Sequence, residues 1–285
     1  MLTAIVFTVT PLDKCTAPPT VGRAAQAWLL DLIRTHDPAL AAALHEGSGQ
    51  RPYTVSDLIG AGPVRDGRRV LSPERMGWLR ITALTADLSG LLVEQIAPTL
   101  PGAVIDLGDV ALRVESVAAT PEAHCWAGQA TPQALLTAHS LAPRTPRRVT
   151  LRFASPTTFR SQGTNIPFPL PALVFGSLLN RWNAFSPIAL HPDTRRFAEE
   201  MIVASKYALH SQHVEFAAGE RGGAVGCVGL CRYYIRSGDR YWGGVVHTLA
   251  AYAFFAGVGA HTTIGLGQAA LWDETEGRPL LAAGG

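Results

Sequence analysis

Lysine is nearly missing from this chain of 285 residues: of 24 basic residues only Lys14 and Lys206 are lysines, and the rest are arginines. Arginine offers a planar fork suited to phosphate, although genomic base composition produces the same bias, and a formal charge of +2 is too small to establish a polyanionic partner. No apolar run approaches the roughly 20 residues of a membrane span. The opening residues, Met1 to Phe7, lack the basic region of a signal peptide. A cytoplasmic protein with no membrane partner is expected. The four cysteines, Cys15, Cys125, Cys227 and Cys231, have no metal-ligand spacing, which argues against zinc and against a disulfide framework. Cys227 and Cys231 share the parity of a strand pattern and are expected to be buried thiols. No Gly-Lys-Ser/Thr signature occurs, so an ATP loop is disfavoured, and neither a metal nor a cofactor is expected.

With 47% hydrophobic residues and 16% charged, the chain has material for a sizeable core. Periodicity divides it into two halves with one pattern. In the first half the expected order is strand 2–9, helix 22–34 with an alanine-rich turn over 38–44, strand near 69–71, strand 76–84, helix 88–97 and strand 111–118. In the second it is strand 148–154, helix 169–183, strand 204–216, strand 224–235, helix 241–256 and strand 264–272. Pro143, Arg144, Thr145 and Pro146 read as a linker between them. The stretch 119–143 shows no clear period. Twice βαββαβ predicts an α+β protein of two tandem ferredoxin-like domains with antiparallel sheets, spanning 1–142 and 147–285. RNA-recognition folds share this topology, yet neither half carries their aromatic strand signature.

Residues 257–267 read Gly-Val-Gly-Ala-His-Thr-Thr-Ile-Gly-Leu-Gly, four glycines in eleven positions. Such a density permits positive φ and close backbone approach, which can turn main-chain N–H groups toward an anion such as phosphate. A dinucleotide fold places its glycines between a strand and the following helix. Here they follow a helix, and the simplest competing reading is a helix C-cap followed by a tight turn.

This ending resembles the C-terminal glycine-rich loop of the RAMP superfamily, and specifically of CRISPR-associated endoribonucleases that cut precursor CRISPR RNA within its repeats. Three further segments fall in that family's order: 37–46 (DPALAAALHE), 51–58 (RPYTVSDL), and 155–160 (SPTTFR) followed by 175–185 (FGSLLNRWNAF). Stretch 119–143 adds nothing to the resemblance.

The resemblance implies RNA cleavage without a metal, which needs a 2′-hydroxyl aligned with the scissile phosphate, a proton-moving group and cations for the developing charge. Histidine suits the proton role. The family's catalytic histidine matches His45, which ends the alanine-rich turn and precedes Gly47, Ser48 and Gly49. The plain alternative is a histidine favoured by a helix dipole. His36 is the rival, since some relatives place their histidine nearer the first helix end or use two. Arg51 matches a basic position and is expected to steady the phosphate. Some relatives use a first-helix tyrosine, and the matching region here, Trp28 to Asp31, has none. Gly257, Gly259, His261, Thr262, Gly265 and Gly267 are expected to hold the RNA backbone, with Arg160 and Arg181 adding phosphate contacts. His261 stands where relatives often carry lysine or arginine, which implies weaker or pH-dependent binding.

The implied products are a 2′,3′-cyclic phosphate and a 5′-hydroxyl. The implied partner is CRISPR repeat RNA, precursor and mature, with effector-complex subunits and a second copy of the chain as further partners. A noncatalytic RAMP subunit that grips RNA through the same loop is the alternative. A small-molecule enzyme on this scaffold would need a phosphate loop or metal cluster that the sequence does not show.

Overall fold

The computed structural model describes residues 1–46, 49–140, 145–216 and 222–280, the side chains of His45 and Glu46 excepted. The first half contains β1 (Leu2–Pro11), β2 (Cys15–Ala17), α1 (Gly22–His36), α2 (Pro38–Glu46), β3 (Tyr53–Val55), β4 (Val64–Arg65), β5 (Arg68–Leu71) and β6 (Gly77–Ala83). It continues through α3 (Ala86–Gly90), a π-helical stretch Leu91–Ile96, β7 (Val104–Asp106), β8 (Ala111–Ala118), β9 (Gly128–Ala130) and α4 (Pro132–Ser140). The second half holds β10 (Arg148–Thr157), β11 (Phe159–Ser161), β12 (Thr164–Ile166), α5 (Pro171–Phe185), α6 (Thr194–Met201), β13 (Ile202–Glu215), β14 (Gly223–Ile235), α7 (Arg240–Ala256), β15 (Ala269–Asp273) and β16 (Arg278–Pro279).

The main sheets run β3-β6-β1-β8-β7 and β13-β14-β10-β15-β16, antiparallel throughout. Numbering the βαββαβ strands of each half in turn, both orders are second-third-first-fourth, the ferredoxin-like order. The expected α+β architecture is therefore present.

Four local expectations change. Residues 69–71 form a strand, but it pairs with β2 and β4 in a separate small sheet. The second position of the main sheet belongs to β3, whose three residues are too few to show alternation. The last main strand begins at Ala269 rather than 264, because Gly265 and Gly267 take φ of 102° and 72° and interrupt the extended chain. The turn over 38–44 is a full helix, α2, with Pro38 pre-set for a helical first position. The aperiodic stretch 119–143 contains β9 and α4, and α4 packs on α7. Pro143 and Arg144 of the expected linker lie outside the described residues.

Alternation along β1 shows how the halves join. Ile5, Phe7 and Val9 pack with α1 in the core of the first half, while Leu2, Ala4 and Val6 belong to a core shared with α5 and α7 of the second. The first sheet is thus covered on both faces, on one by its own helices and on the other by α7. Burial is continuous from Gly243 to Ala256 on α7, as expected of a helix that is apolar all round. Asp239 starts it by accepting hydrogen bonds from the N–H groups of Tyr241 and Trp242 at 2.8 and 3.3 Å. Cys227 and Cys231 are buried on β14 as expected, and burial pushes the Cys227 thiol up to about 12.

Candidate functional site

The glycine-rich segment leaves the C-terminus of α7 and folds back on itself. Gly257, Gly259, His261, Gly265 and Gly267 all have positive φ. At Gly259 no side chain would fit, since a Cβ would stand 2.2 Å from the Thr158 carbonyl oxygen. Most of the loop's N–H groups donate inward. Val258 bonds the Gly267 carbonyl, Ala260 that of Thr158, Gly265 that of Val55 and Gly267 that of Pro156, at 2.8 to 3.0 Å. Gly259 and Gln268 donate to the hydroxyls of Ser177 and Ser155, both at 2.9 Å. The expectation of a general amide platform is therefore corrected: main-chain bonds spend these groups on fixing the loop. The N–H groups of His261, Thr262 and Thr263 have no protein acceptor among the described residues.

Two bonds tie this loop to the other half of the molecule. Val55 of β3 donates to the Thr262 carbonyl at 3.1 Å and accepts from Gly265 at 3.0 Å. The N-terminus of α1 presses on the same loop, where a Cβ on Gly22 would lie 2.1 Å from the Ile264 carbonyl oxygen. Asp57 completes the joint by accepting from the Val21 N–H at 2.7 Å and pairing with Arg69 at 3.0 Å. Burial raises the Asp57 pKa, opposed by Arg69 and by the N–H groups of Val21 and Leu58.

Two buried arginines hold the end of α7, where carbonyls lack helical partners and carry the negative end of the dipole. Arg80 of β6 donates to the Phe254 carbonyl at 2.5 Å and the Trp126 carbonyl at 2.7 Å, with its guanidinium carbon 4.4 Å from the Phe254 ring centre. Burial lowers its pKa to about 9. Arg181 of α5 donates to the Ala256 carbonyl at 2.9 Å and to the Thr262 hydroxyl. Only 8% exposed, Arg181 supports the loop from beneath, so the expectation that it reaches phosphate as an outward cation is corrected. Gly257, Thr262, Gly265 and Gly267 are buried too, and the accessible part of the loop is Gly259, Ala260, His261, Thr263 and Ile264.

His261 is half-buried, its ring 4.7 Å from that of Phe216. Desolvation, then Arg160 and Arg23, hold its pKa below the usual histidine value. Arg160 is exposed on β11, beside a cleft of about 240 Å³ shared by Gln50, Asn180, Arg195, Gly259 and Ala260. Arg51 is half-buried and close enough to Tyr53 to act on its titration. Tyr53 itself is buried, and its hydroxyl accepts from Gln26 at 3.0 Å.

His36 ends α1, with Nδ1 3.0 Å from the Leu32 carbonyl of the same helix. From Gly22, at the loop, to His36 the helix runs about 21 Å, so the two lie at opposite ends. His45 lies in the last turn of α2, but its side chain is outside the described residues, as are Gly47 and Ser48. Sequence reasoning missed Arg80, Asp57 and Ser177. Arg80 sits in an ordinary strand alternation, and nothing local signals that its face is covered by α7.

Family comparison accounts for both halves. The model described as CRISPR Cas6 N-terminal domain matches residues 1–137, and that described as CRISPR-associated endoribonuclease Cas6 matches residues 151–269. A solved Cas6 protein, 26% identical over 95% of this chain and 99% of its own, superposes with a TM-score of 0.75 as a product complex. The same relative gives 0.70 as a substrate mimic complex and 0.71 as a histidine-to-alanine mutant. Thermus thermophilus Cas6 as a product complex is 28% identical over 94% of this chain and 99% of its own, with a TM-score of 0.75. A Cas6-related protein from Pyrococcus furiosus, at 15% identity, 96% and 100% coverage and a TM-score of 0.62, shares the fold. No curated protein matches significantly.

Proposed function

Because the chain belongs to the Cas6 family of CRISPR-associated endoribonucleases, we propose that it cuts CRISPR repeat RNA by attack of a 2′-hydroxyl on the adjacent phosphate, without a metal. The observation that carries this reading is the pair of hydrogen bonds between Val55 and the glycine-rich loop. It ties β3, just after Arg51, to the loop, and Gln50 lines one cleft with Arg160 and Gly259, which supports a site drawn from both halves of the chain.

In this reading His45 moves the proton. It stands five residues before Gln50 of the cleft, whereas His36 is bonded to its own helix at the end remote from the loop. The relative solved as a histidine-to-alanine mutant fits a central role for a histidine in that protein. Arg51 offsets the charge that grows on the phosphate oxygens, and His261 and Thr263 offer amides to the backbone of the RNA. The 2′-oxygen forms a bond to phosphorus as its proton leaves. The bond to the 5′-oxygen breaks and that oxygen gains a proton, giving a 2′,3′-cyclic phosphate and a 5′-hydroxyl.

The test is incubation with the cognate repeat RNA in EDTA, followed by analysis of the new ends. One cut per repeat with a cyclic phosphate is expected, and a 2′-deoxy substitution at the cut nucleotide abolishes it. Loss of cutting in EDTA, or 3′-hydroxyl and 5′-phosphate ends, would contradict the mechanism. Tight binding without cutting by the wild type would favour a noncatalytic RNA-holding subunit.

A further inference from the structure

The cleft beside the loop contains more cationic machinery than the cut itself requires. One wall is a single face of α5, where Ser177, Asn180 and Arg181 recur at helical spacing. Arg195 of α6 lies across this face. Gly176 makes room for it, since a Cβ there would come within 3.2 Å of the guanidinium carbon. Arg195 Nη2 donates to Asn180 Oδ1 at 3.2 Å, which fixes the fork's orientation. Ser177 accepts from the Gly259 N–H, so its own O–H proton remains to donate. Arg160 closes the opposite side from the β11–β12 hairpin. No Asp or Glu is among the described lining residues, and no carboxylate pairs with Arg160 or Arg195 among the described residues.

We propose that this cleft is a second phosphate-binding subsite for the RNA, anchored by Arg195 and distinct from the position of the phosphate that is cut. The inference rests on the RNA-cutting reading above and extends it. Two exposed guanidiniums, Arg160 and Arg195, without a carboxylate favour an anion, and two hydrogen-bond donors beside them, the Ser177 hydroxyl and the Asn180 amide, favour one with several acceptor oxygens. The volume, about 240 Å³, falls below the roughly 300 Å³ at which small-molecule pockets begin. It therefore suits one phosphodiester of a polymer that continues past both ends of the cleft. Arg195 approaches from α6, remote in sequence from the loop and from His45, so it grips RNA without entering the chemistry.

The experiment measures binding of an uncleavable repeat RNA, 2′-deoxy at the cut site, across a salt series, alongside single-turnover cutting of the natural repeat at saturating protein. Arg195→Ala should weaken binding about tenfold and flatten the salt dependence of log K by about 0.7 to 0.9, the contribution of one phosphate contact. The saturated cutting rate should stay within about twofold. Arg195→Lys should recover much of the salt slope. Thermal melting confirms that each variant folds. Unchanged affinity and slope in Arg195→Ala, or a slowed cut at saturation with affinity intact, would overturn the subsite. A wild type that neither binds nor cuts repeat RNA would instead overturn the underlying nuclease reading.

Discussion

His261 is the loop's one titratable side chain, and its surroundings decide what it can offer to RNA. Partial burial and the charges of Arg160 and Arg23 lower its pKa, so at neutral pH it is uncharged and contributes through hydrogen bonding. A lysine there would keep its charge at the same pH. His261→Lys should therefore tighten repeat RNA binding severalfold at pH 7.5 and steepen the salt slope by about 0.7 to 0.9. Wild-type affinity should rise as the pH falls through and below the usual histidine range, where His261 gains its proton, and this added rise should be absent in the lysine variant. Fluorescence anisotropy over pH 5 to 8 checks both, and parallel pH curves for the two proteins would contradict them. That a histidine stands within the glycine-rich loop was legible in the sequence. That its titration is depressed was not, because Arg23 comes from α1, far away in the chain.

The elements around the site are positioned by groups from other elements. Helix α1 has no side-chain cap of its own, as Val21 occupies its N-cap, and Asp57 supplies one across the fold. Asp57→Ala removes that cap and leaves the mostly buried Arg69 without its carboxylate. The expected cost is about 3 kcal/mol, combining a lost cap with an uncompensated buried charge. Urea denaturation measures it, and a loss below about 1 kcal/mol would show that the joint is held by packing alone. Helices α1, α5 and α7 and the long strands were readable from periodicity because each has a sustained apolar face. β3 and the start of β15 were not. β3 is fixed by its pairing with β6 and by the bonds of Val55 to the loop, and the start of β15 by glycine φ values, none of which leaves a repeating pattern. α4 was missed for a related reason: its buried positions, Pro132 and Leu135, are too few to set a period.

Across the whole molecule the two ferredoxin-like halves share one helix. α7 completes the core of the second half, covers the first sheet, and ends where Arg80 from one half and Arg181 from the other hold its last carbonyls. The glycine-rich loop starts from that fixed point and is bonded to β3, so β3 and the loop are parts of one joint. The tandem architecture was legible in the repeated element order, and the loop in its glycines. The buried arginines that aim it were indistinguishable in sequence from surface arginines. The measurement that tests this account most directly compares wild type, His45→Ala and His36→Ala for both binding and single-turnover cutting of the repeat RNA. The account predicts that His45→Ala binds RNA with near wild-type affinity yet cuts at least about 100-fold more slowly, while His36→Ala cuts at close to the normal rate. Normal cutting by His45→Ala, or its loss in His36→Ala alone, would contradict the assignment of the proton-moving residue.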